Sequence, residues 1–275
     1  MKYRKRLLVL VVLTKVIVGC DSPKSGSKLD ESYKTTFDKI LEAQDVNGSI
    51  LIYDPQKKIY YSNDFHWANT GFLPASTFKI PNAIVAMETS TISNDSAIIK
   101  WDGKKRAFES WEKDLTFREA FQASCVPCFQ EIARKIGVEN MENYLNKLRY
   151  PTMDVREETI DNFWLRGNSK ITQMEQIDFL QRFYTKKLPI LNSTRDKMLK
   201  LFEIEKTPEY TLSGKTGWSY NEKDNNGWFV GFYQRGERIY YFALNVVPKD
   251  VNNMEQFATA RVNAIREALH QMRLL

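Results

Sequence analysis

The chain has 275 residues, of which 43% are hydrophobic, 13% aromatic and 27% charged. This supplies apolar surface for one large domain or two small ones and excludes a disordered, collagen-like or low-complexity chain. The net charge of +6 is local: Lys2, Arg4, Lys5, Arg6 and Lys15 fall in the first 19 residues, and 35 basic residues then face 34 acidic ones, which excludes a nucleic-acid partner.

Behind the basic start lies an apolar stretch of about 12 residues, Leu7 to Leu13 and Val16 to Val18 around Thr14-Lys15. A spanning helix needs about 20, so residues 1–19 are predicted to be a secretory signal peptide. Ile17-Val18-Gly19-Cys20 resembles the lipobox of bacterial lipoproteins, in which the cysteine is acylated after cleavage. An ordinary signal peptide with a chance cysteine is the alternative. Small Gly19 favours the lipoprotein, while Lys15 speaks against it. Residues 20–34 read as a flexible tether, since 21–30 (DSPKSGSKLD) are small and polar. The folded domain is then 35–275, exported to the periplasm and touching the membrane only through a lipid on Cys20.

Residues 48–54 and 58–63 are short β-branched and aromatic runs around Pro55-Gln56, which predicts a hairpin. From about 76 to 204 the pattern is helical. Thr116 and Glu119 form a capping-box pair. A helix with Pro127 in its first turn stops at Gly137, and Thr172 with Glu175 starts another. Strands return at 210–216, 227–234 and 238–247, and an amphipathic helix closes the chain over about 254–272. The expected class is α+β, one antiparallel sheet built from about 35–75 and 205–275 and flanked by helices, with an all-helical subdomain at about 76–204 inserted.

Cys125 and Cys128 have the C-x-x-C spacing of a redox motif or half a zinc site. Zinc needs two more ligands, and the chain has only His66 and His270. The favoured reading is two small buried apolar groups one helical turn apart. Scarce histidine also argues against a Ser-His-Asp triad.

Three short motifs carry chemistry. Ser76-Thr77-Phe78-Lys79 is an S-x-x-K at a predicted helix start, with nucleophile and lysine on one helical face. Ser124-Cys125-Val126 lies at a helix junction. Lys215-Thr216-Gly217 lies on a strand stripped of side chains at Gly214 and Gly217, where a ligand could lie against the backbone. Each alone is weak. In this order, on helix, junction and strand, they match the pattern of serine β-lactamases and penicillin-binding proteins.

FLPASTFKIPNAIVA (72–86), SCVPCFQEIARKIG (124–137), DNFWLRGNSKIT (161–172) and SGKTG (213–217) resemble the class D, oxacillinase-type serine β-lactamases. One departure is Tyr150-Pro151-Thr152, where that family has Tyr-Gly-Asn. The resemblance implies that Ser76 forms an acyl-enzyme with β-lactam substrates and that Lys79, carboxylated on its amine, is the general base. It implies that Trp164 donates a hydrogen bond to that carbamate, that Ser124 passes a proton to the leaving nitrogen and that Lys215 supplies positive charge. Ser76 and Trp218 would offer backbone N–H groups to the oxyanion, Val126 and Leu165 an apolar wall, and Arg261, with Thr216 and Gly217, a seat for the substrate. No cofactor or metal is expected beyond carbon dioxide for the lysine. A penicillin sensor or a transpeptidase, each acylated without turnover, is the rival reading. A sensor would need membrane helices and an output domain.

Overall fold

Three runs, ILIY at 50–53, WFVGFY at 228–233 and YYFAL at 240–244, are apolar without interruption, as strands covered on both faces are. The computed structural model describes residues 26–220, 225–250 and 254–275. In it these runs are the centre of a seven-stranded sheet. The strands are β1 (Lys28–Asp30), β2 (Val46–Asp54), β3 (Ile59–Ser62), β6 (Glu203–Lys206), β7 (Thr211–Tyr220), β8 (Asn225–Arg235) and β9 (Arg238–Pro248), in the order β1-β3-β2-β9-β8-β7-β6. A separate two-stranded ladder pairs β4 (Ile98–Ile99) with β5 (Leu115–Thr116). The leader, the cysteine Cys20 and residues 21–25 of the expected tether lie outside the described residues.

Alternate side chains leave a strand on opposite faces. Phe37, Ile40 and Leu41 of α1 (Lys34–Ala43) and Phe257, Ala264 and Ile265 of α9 (Met254–Gln271) share one core with Ile50, Ile52, Phe229, Phe242 and Leu244. Leu51, Tyr53, Trp228, Val230, Tyr241 and Ala243 point the other way, into the core of the helical subdomain. That subdomain holds α2 (Phe65–Ala68), α3 (Lys79–Glu88), α4 (Phe117–Gln122), α5 (Val126–Ile136), α6 (Val138–Lys147), α7 (Gln173–Tyr184) and α8 (Asn192–Phe202). At its centre α3, buried from Lys79 to Met87, packs against α5, α6 and α8. A helix without a polar face can be stable only in such a position.

Both expected capping boxes close, Thr116 with Glu119 on α4 and Thr172 with Glu175 on α7. Gly137, at φ 77°, ends α5, which carries Pro127 in its first turn. The tether is shorter than expected. Lys28–Asp30 pair in parallel with Ile59–Tyr61, so the sheet is antiparallel except at this edge. A three-residue, largely exposed edge strand has no buried face to leave an apolar signature. The 76–204 segment also contains β4, β5 and, over 151–172, a stretch of turns rather than helix.

Candidate active site

The segment leading to Ser76 is fastened at each step. Phe72 and Ile171 exchange backbone bonds of 3.0 and 2.9 Å. Leu73 O accepts from Trp228 Nε1 at 2.8 Å, and Ala75 N–H donates to Trp164 O at 2.8 Å. Ala75 has φ 49°, in the left-handed region that side chains disfavour, so these bonds hold a strained turn in front of the serine. A 3₁₀ turn over Ala75–Phe78 follows, with Thr77 Oγ1 donating to Pro74 O at 2.6 Å, and it runs into α3. Gln176 on α7 donates to Thr77 Oγ1 at 2.9 Å.

This turn places Lys79 beneath Ser76, with Nζ and Oγ 2.8 Å apart. Lys79 is completely buried, and the Phe129 ring centroid lies 5.3 Å from Nζ. Burial, and then the neighbouring Lys215, push its amine well below the ordinary lysine value. A neutral amine can accept the serine proton; an ammonium cannot. Trp164, also fully buried, stacks on Phe78 with centroids 5.5 Å apart. Among the described residues its Nε1–H has no hydrogen-bond partner. Leaving such a donor unpaired costs about 1–3 kcal/mol.

Ser124 forms a second pair. It stands between α4 and α5 at φ 54°, and its Oγ accepts from Lys215 Nζ at 2.9 Å. Lys215 also donates to Thr216 O at 3.0 Å. Burial, with Arg261 adding to it, lowers the Lys215 amine to about 7. Beyond Ser213, the last residue to pair with β6, β7 keeps only β8 as a strand neighbour, so Gly214–Tyr220 form an open edge. Gly217 presses onto the nucleophile turn: a Cβ there would stand 3.1 Å from Thr77 N and 3.2 Å from Pro74 O. A side chain there would have to push the turn back by a few tenths of an ångström.

Arg261 reaches the same place from α9. It is 7% exposed, donates to Gly217 O and to Ala258 O at 3.1 Å, and lies with its guanidinium 5.6 Å from the centroids of both Trp218 and Phe257. It can cross β8 because residue 227 is glycine; a Cβ there would meet Arg261 Cδ at 2.6 Å. Val126, the first residue of α5, and Leu165, next to Trp164, are half-buried.

Residues 36–267 match the penicillin binding protein transpeptidase domain family. The β-lactamase OXA-10 of Pseudomonas aeruginosa is 38% identical over 242 residues, covering 86% of this chain and 89% of its own. The chain belongs to the class D β-lactamases. A class D β-lactamase of Nostoc superposes with a TM-score of 0.82 at 41% identity, over 87% of this chain and 99% of its own. One from Sebaldella termitidis gives 0.84 at 32%, over 91% and 100%. Class D enzymes are serine hydrolases that need no metal cofactor.

Two features of this class D chain were not legible beforehand. Cys125 and Cys128 are joined by a disulfide rather than packed as separate apolar groups. Spacing of three brings two sulfurs together on a first helical turn, and residue type alone does not say whether they are bonded. The clearance at Gly227 for Arg261 depends on the register of β8 under α9, which no local pattern carries. At the departing triplet, the Tyr150 ring meets Phe78 and Phe179 edge-on, at 5.8 and 4.9 Å between centroids. Nothing in the structure explains Pro151 and Thr152.

Proposed function

We propose that this protein hydrolyses the β-lactam ring of penicillin-type antibiotics through an acyl-enzyme on Ser76, with carboxylated Lys79 as general base, and so confers resistance. The observation that carries the reading is the floor of the site: a fully buried lysine 2.8 Å from a serine hydroxyl, and a buried Trp164, stacked on Phe78, whose N–H finds no acceptor among the described residues. Addition of the neutral amine to carbon dioxide forms one N–C bond and releases one proton. The resulting carboxylate supplies a base where no histidine is at hand, and Trp164 Nε1–H would hold it.

The remaining work falls to the chain's own groups. Ser76 Oγ loses its proton toward Lys79 as it attacks the lactam carbonyl. The backbone N–H groups of Ser76 and Trp218 receive the developing oxyanion. Ser124, held by Lys215, hands a proton to the departing ring nitrogen. Arg261, Thr216 and Gly217 seat the substrate carboxylate beside the Lys215 charge, an assignment supported by the placement of the guanidinium against the Gly217 carbonyl. Val126 and Leu165 keep the pocket apolar. The same base then activates water to release Ser76.

Hydrolysis of a chromogenic cephalosporin in degassed, mildly acidic buffer tests the reading. Turnover should fall and be restored by bicarbonate. Stoichiometric acylation without turnover would instead favour a sensor or a transpeptidase. Turnover indifferent to bicarbonate would remove the carbamate and leave the Ser76 nucleophile standing. We also propose that the enzyme is exported to the periplasm and held at the membrane by a lipid on Cys20, a reading supported by the basic, apolar, Gly19-Cys20 order of the leader.

A further inference from the structure

The disulfide between Cys125 and Cys128 starts one residue after the site serine. Cys125 is completely buried. Its N–H donates to Ala120 O at 2.9 Å, and its carbonyl accepts from Phe129 N–H at 3.3 Å. Its Sγ accepts from Cys128 N–H at 3.3 Å. Ser124, just before it, adopts φ 54°, a left-handed conformation that a residue with a Cβ keeps only where its surroundings impose it. The Ser124 N–H donates to Phe121 O at 3.1 Å, and the hydroxyl meets Lys215. The position of the Oγ therefore depends on the backbone on either side. The α4 side is held by main-chain bonds, and the α5 side by those bonds together with the covalent closure across Val126-Pro127.

We infer that the Cys125–Cys128 disulfide is a positioning device for Ser124, locking the turn that holds the hydroxyl against Lys215, so that opening the bond lowers catalytic efficiency while Ser76 and Lys79 stay in place. The inference rests on the β-lactamase reading above. The bond is reachable from one side. Cys128, 9% exposed, lines a cavity of about 260 Å³ beside Trp101, Pro127 and Gln130, with Lys100, Arg106 and Arg134 in its walls each paired to an aspartate. Cys125 has no exposed surface. A dithiol thus attacks Cys128 Sγ: a sulfur–sulfur bond forms to the reagent, and the electron pair of the old bond stays on Cys125 Sγ, which takes up a proton. The second reagent thiol then displaces Cys128 as its thiol and leaves the reagent as a cyclic disulfide.

Lys215 reports on the turn. It faces Ser124 from the α4–α5 junction, Lys79 from α3 and Arg261 from α9, while Glu203 of β6, which lines the same pocket, pairs with Lys206. A loosened turn admits water to Lys215 and relieves the burial that lowers its amine to about 7, so the limb of the pH profile belonging to Lys215 moves upward on reduction.

The test compares the full-length enzyme before and after dithiothreitol, with thiol titration to confirm opening and reoxidation to confirm reversal. On reduction, kcat/KM for a chromogenic cephalosporin should fall roughly ten- to a hundredfold, the scale expected when a reacting group is displaced by about 1 Å. The alkaline limb should move up. In Ser124→Ala, reduction should cause no further fall, because the device acts through that hydroxyl. A Cys125→Ala/Cys128→Val double variant should reproduce the reduced enzyme and be insensitive to dithiothreitol. Unchanged kcat/KM and pH profile on reduction would overturn the inference. So would an equal fall in wild type and Ser124→Ala, or a lowered melting temperature with an unmoved limb, since each describes a bond that serves only general stability. Failure of the hydrolase reading would show separately, as absent turnover in the oxidised enzyme. The rate of Ser76 acylation by a fluorescent penicillin then supplies the same comparison.

Discussion

The Trp164 N–H isolates the base from everything else in the site. Trp164→Phe keeps a ring stacked on Phe78 while deleting the indole donor, and the cavity it leaves is smaller than that of an alanine, which would cost about 3–5 kcal/mol. Turnover of Trp164→Phe should drop in degassed buffer and be restored by more bicarbonate than wild type needs; equal bicarbonate dependence of the two would separate Trp164 from the base. Lys79→Ala removes general-base catalysis, worth about 10²–10⁴-fold. Any acyl-enzyme it forms should persist, as intact-mass spectrometry would detect. In the proposed mechanism Lys215 serves as a cation, and burial lowers its amine to about 7. Raising pH removes its proton, so kcat/KM should decline through that region. Lys215→Arg keeps the charge at all working pH values, and its profile should lack that decline.

Elements matter here through how closely they approach. β7 can serve as the open edge of the site only because β6 ends its pairing at Ser213 and because Gly217 sits flat against Thr77 and Pro74. The same logic governs α9, whose Arg261 crosses β8 at Gly227. Gly227→Ala would set a methyl 2.6 Å from both Arg261 Cδ and a Phe257 ring carbon. One of them must move, at a cost of about 1–3 kcal/mol. The expected outcome is a lower melting temperature together with a raised KM and a much smaller change in kcat, because in the proposed mechanism the displaced group seats the substrate and transfers no proton. An unchanged KM would detach Arg261 from substrate binding. By contrast, Thr116→Ala at the start of α4 should cost about 1 kcal/mol of stability through the lost cap, read from the urea midpoint, with KM unaffected.

Among the described residues two lysines and an arginine, Lys79, Lys215 and Arg261, are buried within electrostatic reach of one another. Groups whose amines are lowered on folding bind more protons in the unfolded chain, so stability rises with pH between the folded and unfolded values. For Lys215 that window runs upward from about 7 toward the ordinary lysine value of 10.5. The urea midpoint should therefore rise between pH 7 and 9, by no more than about 1.4 kcal/mol per pH unit for one group. It should rise less steeply in Lys215→Met; an equal slope would place the proton uptake elsewhere. Where the molecule resides is a separate question. Wild type should incorporate labelled palmitate and fractionate with membranes, and Cys20→Ala should be unlabelled; equal labelling would end the lipoprotein reading.

Local chemistry carried much of this protein into view from its sequence. Apolar and aromatic runs marked the strands at 48–54, 227–234 and 238–247. Threonine three residues before glutamate marked two helix starts, and Ser76-x-x-Lys79 marked a serine and a lysine that meet at 2.8 Å, because spacing along one element is a sequence property. Contacts between elements were decided elsewhere. The Ser124–Lys215 pair joins residues 91 apart, the Arg261 crossing needs a glycine three strands' length of chain away, and the edge strand at Lys28–Asp30 has no buried face to give it a pattern. The lowered amines of Lys79 and Lys215 arise from desolvation by the packed halves. That burial, which turns an ordinary lysine into a base, exists only once the chain has closed around it.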